Sequence, residues 1–414
     1  MPVVFDPYSD EFQEDPYPTY VRMRAKTPVF YDDDWELTFF TRHADVAGIL
    51  KDRRFGRQVT NAVPPEEIDR DLFDRTHPPH LHNWTRLIRG SFIDLEPPQH
   101  TRIRRLVQGA FTRRSAESYR SQIEELASSL MNVAIESGRM EAIADYATPI
   151  PLAMIGSMLG VPSEDHRRLV AWSHAIVRVF DKQCTPAEAL AAEQAVTEFA
   201  DYLVEHFSFR REHPGDELID ALIAARFEGD RLSQEELVAT CILVLNAGHE
   251  ATVHAIGNSL LALASHPQQL RWLRDHPGAT AGAVDELLRY DSPLQMFERW
   301  VLESLTWGDD SNGVILRRGT KVGLLFGSAN RDERAFADPV ALDLSRRDNP
   351  YVSFGGGIHH CVGAPLAKIE MEVALAEFAR RVGDFTIPDQ LERVPSLVFR
   401  GVKTLTIEIN PTAG

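Results

Sequence analysis

The longest uninterrupted helical pattern in the chain begins at Ser233, and it limits the fold more than any other feature. Glu236 stands three residues after Ser233, a capping-box start; the segment stays apolar to about Ser265, and Pro267 closes it. At 1.5 Å per residue such a helix spans on the order of 45 Å, enough to cross a whole molecule. Its apolar run, 237–247, is too short for a membrane span, and Asn246, His249 and Glu250 interrupt the continuation of the helix. Nearly everything from about 85 to 265 reads as helix. Before it, residues 17–54 mix a helical stretch with β-type runs at 28–31 and 35–40; after it come short helices and further β-type runs, such as 321–325 and 405–409. The expected architecture is mainly α with a small β-rich portion built from both ends of the chain. No linker, low-complexity stretch or repeat divides residues 1–414, so one domain is expected.

Near the C-terminus, Phe354-Gly355-Gly356-Gly357-Ile358-His359-His360-Cys361-Val362-Gly363 surrounds one cysteine with glycines. Without Cβ atoms in the way, backbone N–H groups can approach and hydrogen-bond a thiolate. Two readings fit these residues. One is an ordinary buried cysteine behind a Gly-rich turn. The other is a single cradled thiolate, which suits haem iron and suits zinc poorly, because no second cysteine or C-x-x-C pair lies nearby. The chain has three cysteines, Cys184, Cys241 and Cys361, without framework spacing; a reducing, cytoplasmic setting without disulfides is expected. Met1-Pro2-Val3-Val4-Phe5-Asp6-Pro7 has neither a basic nor an apolar leader region, so neither a signal peptide nor a membrane anchor is expected.

Several motifs, in their expected order, resemble those of the cytochrome P-450 superfamily in its soluble bacterial class, whose fold is a triangular helical prism. The stretch at 354–363 is similar to the family's haem-binding signature. The resemblance implies haem b with Cys361 as the axial and only metal ligand, and Phe354, Gly355 and Gly363 shaping its loop. Thiolate ligation favours O–O cleavage. Pro365 fits the first turn of the next helix, whose positive end faces the thiolate. Ala247-Gly248-His249-Glu250-Ala251-Thr252 resembles the oxygen-activation motif, with Ala247 and Gly248 near the iron and Glu250 as the acid that relays protons. Gly248 is expected at a helix irregularity that opens space. Where the family usually has the hydroxyl of Thr stands Ala251, which cannot hydrogen-bond. A substrate hydroxyl, Thr252 or an ordered water would complete the relay, or oxygen is activated poorly.

His100 and Arg104, four apart on one helix face, resemble the H-x-x-x-R pair that meets the haem propionates, and Arg299 and His359 resemble the remaining contacts. Glu286 and Arg289 resemble the structural E-x-x-R pair, with Arg346 as its third member. By resemblance the substrate pocket draws on Val177, Val244, Leu294, Met296, Phe297 and Leu397. Gln295 or Asn246 would supply its polar anchors, so a hydrophobic small-molecule substrate is expected.

The resemblance implies a mono-oxygenase that takes two electrons from a separate ferredoxin and ferredoxin reductase. It would insert one atom of O2 into its substrate by hydroxylation or epoxidation, and act as a monomer. The alternatives are an H2O2-driven peroxygenase and a non-catalytic haem or recruitment protein of the same fold. A formal charge of −17 argues against nucleic acid and anionic membranes as partners. Against that background Arg102, Arg105, Arg113 and Arg114 read as a basic patch on the thiolate side, suited to steering an acidic ferredoxin.

Overall fold

In a computed structural model of the chain the residues described are 5–58, 60, 63–68, 70–76, 78–226, 229–308, 313–388 and 390–411. Residues 1–4, part of the segment read above for a leader, lie outside them. The segment after Ser233 is one helix, Gln234–Ser265, and both halves of the Ser233/Glu236 capping box are formed. Pro267 opens the next helix, Pro267–Asp275, because its ring cannot continue the previous one. The 32 residues of the long helix span about 48 Å. Helices Pro149–Met158, His166–Val177, Pro186–Glu212, Thr280–Tyr290 and Ala364–Arg381 pack around it, which is why most of its side chains are buried from Leu237 onward. No helix among the described residues is long and apolar enough to cross a membrane.

Ten strands are formed among the described residues: β1 (Val29–Asp32), β2 (Leu37–Phe40), β3 (Phe55–Gly56), β4 (Arg139–Glu141), β5 (Met296–Val301), β6 (Leu305–Trp307), β7 (Val314–Leu316), β8 (Lys321–Leu325), β9 (Val382–Thr386) and β10 (Thr406–Pro411). Five of them make a sheet in the order β1-β2-β8-β5-β3, in which β2 and β8 run parallel and the other neighbours antiparallel. This sheet joins the two ends of the chain, as expected from the sequence. A second sheet, β4-β10-β9, sets one short strand inside the mainly helical stretch 85–265: Met140 pairs with Ile407. A three-residue strand whose partner lies so far along the chain leaves no local pattern to read.

One buried ionic cluster ties the cysteine side of the molecule together. Arg289 donates to both oxygens of Glu286, at 2.7 and 2.8 Å, and to the carbonyls of Asn330, Pro339 and Ala341. Arg346 adds a 3.0 Å bond to the same carboxylate, and the Asp343 N–H another. Glu286 and Arg289 are 0% exposed. Every guanidinium nitrogen of Arg289 is thus engaged, the condition under which a buried charge is tolerable.

Candidate active site

The glycine-rich loop is held by its own backbone: Gly355 N–H donates to Val352, Cys361 N–H to Phe354 and His360 N–H to Gly357. Gly357 has φ 64°, and a Cβ there would stand 2.3 Å from the Leu50 carbonyl oxygen, so only glycine fits. Gly363 caps the helix Ala364–Arg381, with Pro365 in its first turn. The Cys361 sulfur opens onto a cavity at this helix start. Burial raises its thiol above the usual range, while the N–H groups of Gly363 and Ala364 and the charge of Arg104 pull it back. Arg104 also donates to the His360 carbonyl at 2.7 Å, clamping the loop.

The cavity has a volume of about 1190 Å³ and lies between the helical core and the five-stranded sheet. A single small-ligand pocket occupies roughly 300–1,000 Å³, so this one has room for more than one guest. One wall is the cysteine loop, including Phe354, Gly355, His359 and Gly363; the opposite wall is the long helix at Val244, Ala247, Gly248, Ala251 and Thr252. Val177, Leu294, Met296 and Phe297 line it too. Leu397 does not: it is buried in a separate aromatic cluster with Phe12, Tyr20 and Phe39, and its neighbours Val398 and Phe399 face the cavity instead. Gln295 is also spent elsewhere, accepting from Tyr20 and donating to the Ser292 carbonyl. Asn246 lines the cavity, and its Oδ1 has no partner among the described residues.

The helix is unbroken through Gly248, contrary to the expected irregularity. The glycine serves close packing: a Cβ there would stand 2.6 Å from Ile155 Cδ1. Thr252 turns its hydroxyl back onto the Gly248 carbonyl, 3.2 Å away. Glu250 does not line the cavity. Its oxygens lie 3.4 Å from His174 Nε2 and 3.7 Å from His254 Nε2, and burial raises its carboxyl above the usual range, with His174 opposing.

At the far edge of the cysteine wall, His359 contacts Glu96 through Nε2 at 3.3 Å while its Nδ1 is buried without a partner among the described residues. His100 packs behind it at a tilt, ring centroids 4.6 Å apart and planes 55° apart; burial, with the charges of His359 and Arg104, pushes His100 down to about 4. Arg299 is 2% exposed. Burial and the neighbouring Arg57 bring it down to about 9, with Glu96 and Asp94 offsetting only part. Such a cationic, donor-rich, under-neutralised edge fits the two carboxylates of haem, just as the cradled Cys361 sulfur fits its iron.

Several residues at the site carry no motif and were not expected from the sequence. Arg57 donates to Asp94 and, through its backbone, to Glu96, and Arg89 donates to the other Asp94 oxygen at 2.9 Å. Glu370 lies on the cavity wall, and burial raises its carboxyl well above the usual range. An acid in the apolar stripe of the cysteine helix, one turn after Leu366, was the available signal. The basic patch also shrinks: Arg102 is paired with Asp230 at 2.9 Å and with Glu236. The exposed members are Arg105, Arg113 and Arg114.

A family model described as Cytochrome P450 matches residues 68–275 and 279–391. The chain is 35% identical over 416 residues to the biotin biosynthesis cytochrome P450 of Bacillus subtilis, covering 98% of this chain and 99% of that one. It is 32% identical over 410 residues to the cytochrome P450 monooxygenase PikC of Streptomyces venezuelae, covering 96% and 92%. Among solved structures, P450BioI bound to an acyl carrier protein carrying hexadec-9Z-enoic acid superimposes with a TM-score of 0.87 at 32% identity, over 97% of this chain and 99% of that one. The expected family, fold class and cofactor agree with these matches. The chain belongs to the cytochrome P450 superfamily in its bacterial type, and is a monooxygenase built to bind haem b through a cysteine thiolate.

Proposed function

We propose that this monooxygenase inserts one atom of O2 into a hydrophobic organic substrate, by hydroxylation or epoxidation, using electrons from a separate ferredoxin and its reductase. The observation that carries the reading is the continuous cavity joining the Cys361 sulfur to the Ala247–Thr252 segment and to an apolar wall. When bound, haem supplies the iron at which O2 is activated, and thiolate donation favours O–O cleavage. Cys361 holds the iron, steadied by two backbone N–H groups and Arg104. His100, Arg104, Arg299 and His359 hold the propionates. Phe354, Gly355 and Gly363 shape the thiolate loop, and Ala247 and Gly248 form the facing wall.

Val177, Val244, Leu294, Met296, Phe297, Val398 and Phe399 exclude water and position the substrate by shape. Asn246 Oδ1 accepts from a hydroxyl or N–H of the substrate, since a buried acceptor left unpaired is costly. Glu250 moves the proton. Because Ala251 has no hydroxyl and Thr252 turns its own onto Gly248, a substrate hydroxyl or a water completes the relay. Glu286, Arg289 and Arg346 act structurally. The ferredoxin docks on Arg105, Arg113 and Arg114, beside the cysteine helix.

Product formation with NADH, ferredoxin reductase and ferredoxin, set against H2O2 alone, tests the reading. Faster turnover with H2O2 alone would make the protein a peroxygenase. No turnover by either route, with an intact thiolate spectrum under carbon monoxide, would make it a binding protein. Docking fails as an idea if reversing the charges of Arg105 and Arg113 leaves electron transfer and its salt dependence unaltered.

A further inference from the structure

Beside the cavity, and not on its wall, three histidines converge on Glu250. His249 is 2% exposed, and among the described residues neither of its ring nitrogens has a hydrogen-bond partner. His254, one helical turn beyond Glu250, is buried, with Nδ1 also unpartnered among the described residues. His174 reaches over from the helix His166–Val177, 61% of its side chain exposed. One ligand atom from each of His174, His249 and Glu250 falls within 4.8 Å of the other two. Buried polar atoms without partners call for a water or an ion. Burial, aided by the neighbouring histidines, holds His249 down at about 4, so its imidazole is neutral near pH 7 and offers a lone pair.

We propose that His174, His249 and Glu250 form a Zn2+ site, and that its occupation stops proton delivery through Glu250. Two imidazoles, one carboxylate and an open fourth position are a donor set that zinc takes at roughly 2.0–2.2 Å per ligand. Ligand atoms around a tetrahedral zinc then stand roughly 3.4 Å apart. The three atoms must therefore close by at most about 1.4 Å, and the His174–Glu250 pair already stands at 3.4 Å. His254 Nε2, 3.7 Å from the second Glu250 oxygen, orients the carboxylate, as groups behind metal ligands commonly do. With zinc on Glu250, the charge of the metal lowers the proton affinity of the carboxylate, which then no longer takes up a proton to pass on. Zinc would enter from solvent past His174, so the site is reachable with haem and substrate in place.

The blocking half of the proposal rests on Glu250 being the proton relay; the binding half does not. Haem-loaded protein cleared of metal by chelation is titrated with Zn2+ by calorimetry, alongside His174→Ala and, as a control, His213→Ala. One equivalent is expected, with binding at least about tenfold weaker in His174→Ala and unchanged in His213→Ala. The spectrum under carbon monoxide confirms that each variant is folded. Equal affinity in His174→Ala and the unaltered protein, or no binding, overturns the site. Turnover should fall as zinc binds, return with chelator, and need at least tenfold more zinc to fall in His174→Ala. If zinc binds at one equivalent without slowing product formation, the blocking half and Glu250 as relay both fall, while the metal site stands.

Discussion

Glu286 and Glu250 are both glutamates on helices within the folded body, and their surroundings could hardly differ more. Glu286 receives hydrogen bonds from Arg289, Arg346 and the Asp343 backbone. Among the described residues Glu250 has only imidazoles, at 3.4 and 3.7 Å. The first is a charge fixed in place, whose cost of burial is offset by complete pairing. The second is a carboxyl whose proton affinity is raised by burial, with solvent reached through His174. Completed pairing makes a joint; incomplete pairing leaves a group free to exchange protons or take a ligand.

The same substitution in both places should separate these roles. Glu286→Gln leaves two arginines buried without their counter-charge and should cost about 3–5 kcal/mol, read as a lower urea midpoint and poor haem retention. A loss below about 1 kcal/mol would show that the cluster is not a joint. Asp94→Asn breaks a second completed cluster, at the propionate edge, and should cost about 3 kcal/mol at pH 7. Although burial opposes it, Arg57 and Arg89 hold the Asp94 carboxyl far below the usual range. Its contribution is therefore present above the unfolded value, about 3.9, and is lost as pH falls through the folded one. The gap between variant and unaltered protein should accordingly close below about pH 4, and a gap constant with pH would contradict the pairing.

Glu250→Gln should reverse the pattern: stability changes by under about 1 kcal/mol, because no hydrogen-bonded partner is orphaned, while kcat falls by at least about 10²-fold. A stability loss matching that of Glu286→Gln would erase the distinction between joint and open group. The smallest effect is expected from Ala251→Thr. It should alter the coupling of NADH consumption to product, most for substrates lacking a hydroxyl, and unchanged coupling with every substrate would remove any special role for Ala251.

Legibility followed the same division. The capping box, the cysteine loop and the ordered motifs were readable because each is local: a cap needs a residue three positions on, and a turn needs its glycine. Leu397 was misplaced because an apolar residue beside a pocket and one in the adjoining core look alike in sequence. Its neighbours Val398 and Phe399 took the wall. Arg102 was read as part of a patch because its partners, Asp230 and Glu236, lie far along the chain. His174 gave no signal at all, since nothing in a helix of residues 166–177 announces which distant carboxylate it will meet.

The sequence by itself determined the long helix, the α-rich class and the single cysteine in its glycine cradle, all set by backbone sterics and short-range spacing. Only the tertiary structure decided which charges are paired and which stand open, because pairing depends on side chains brought together from distant segments. Their burial then sets how much each unmet charge or lone pair matters.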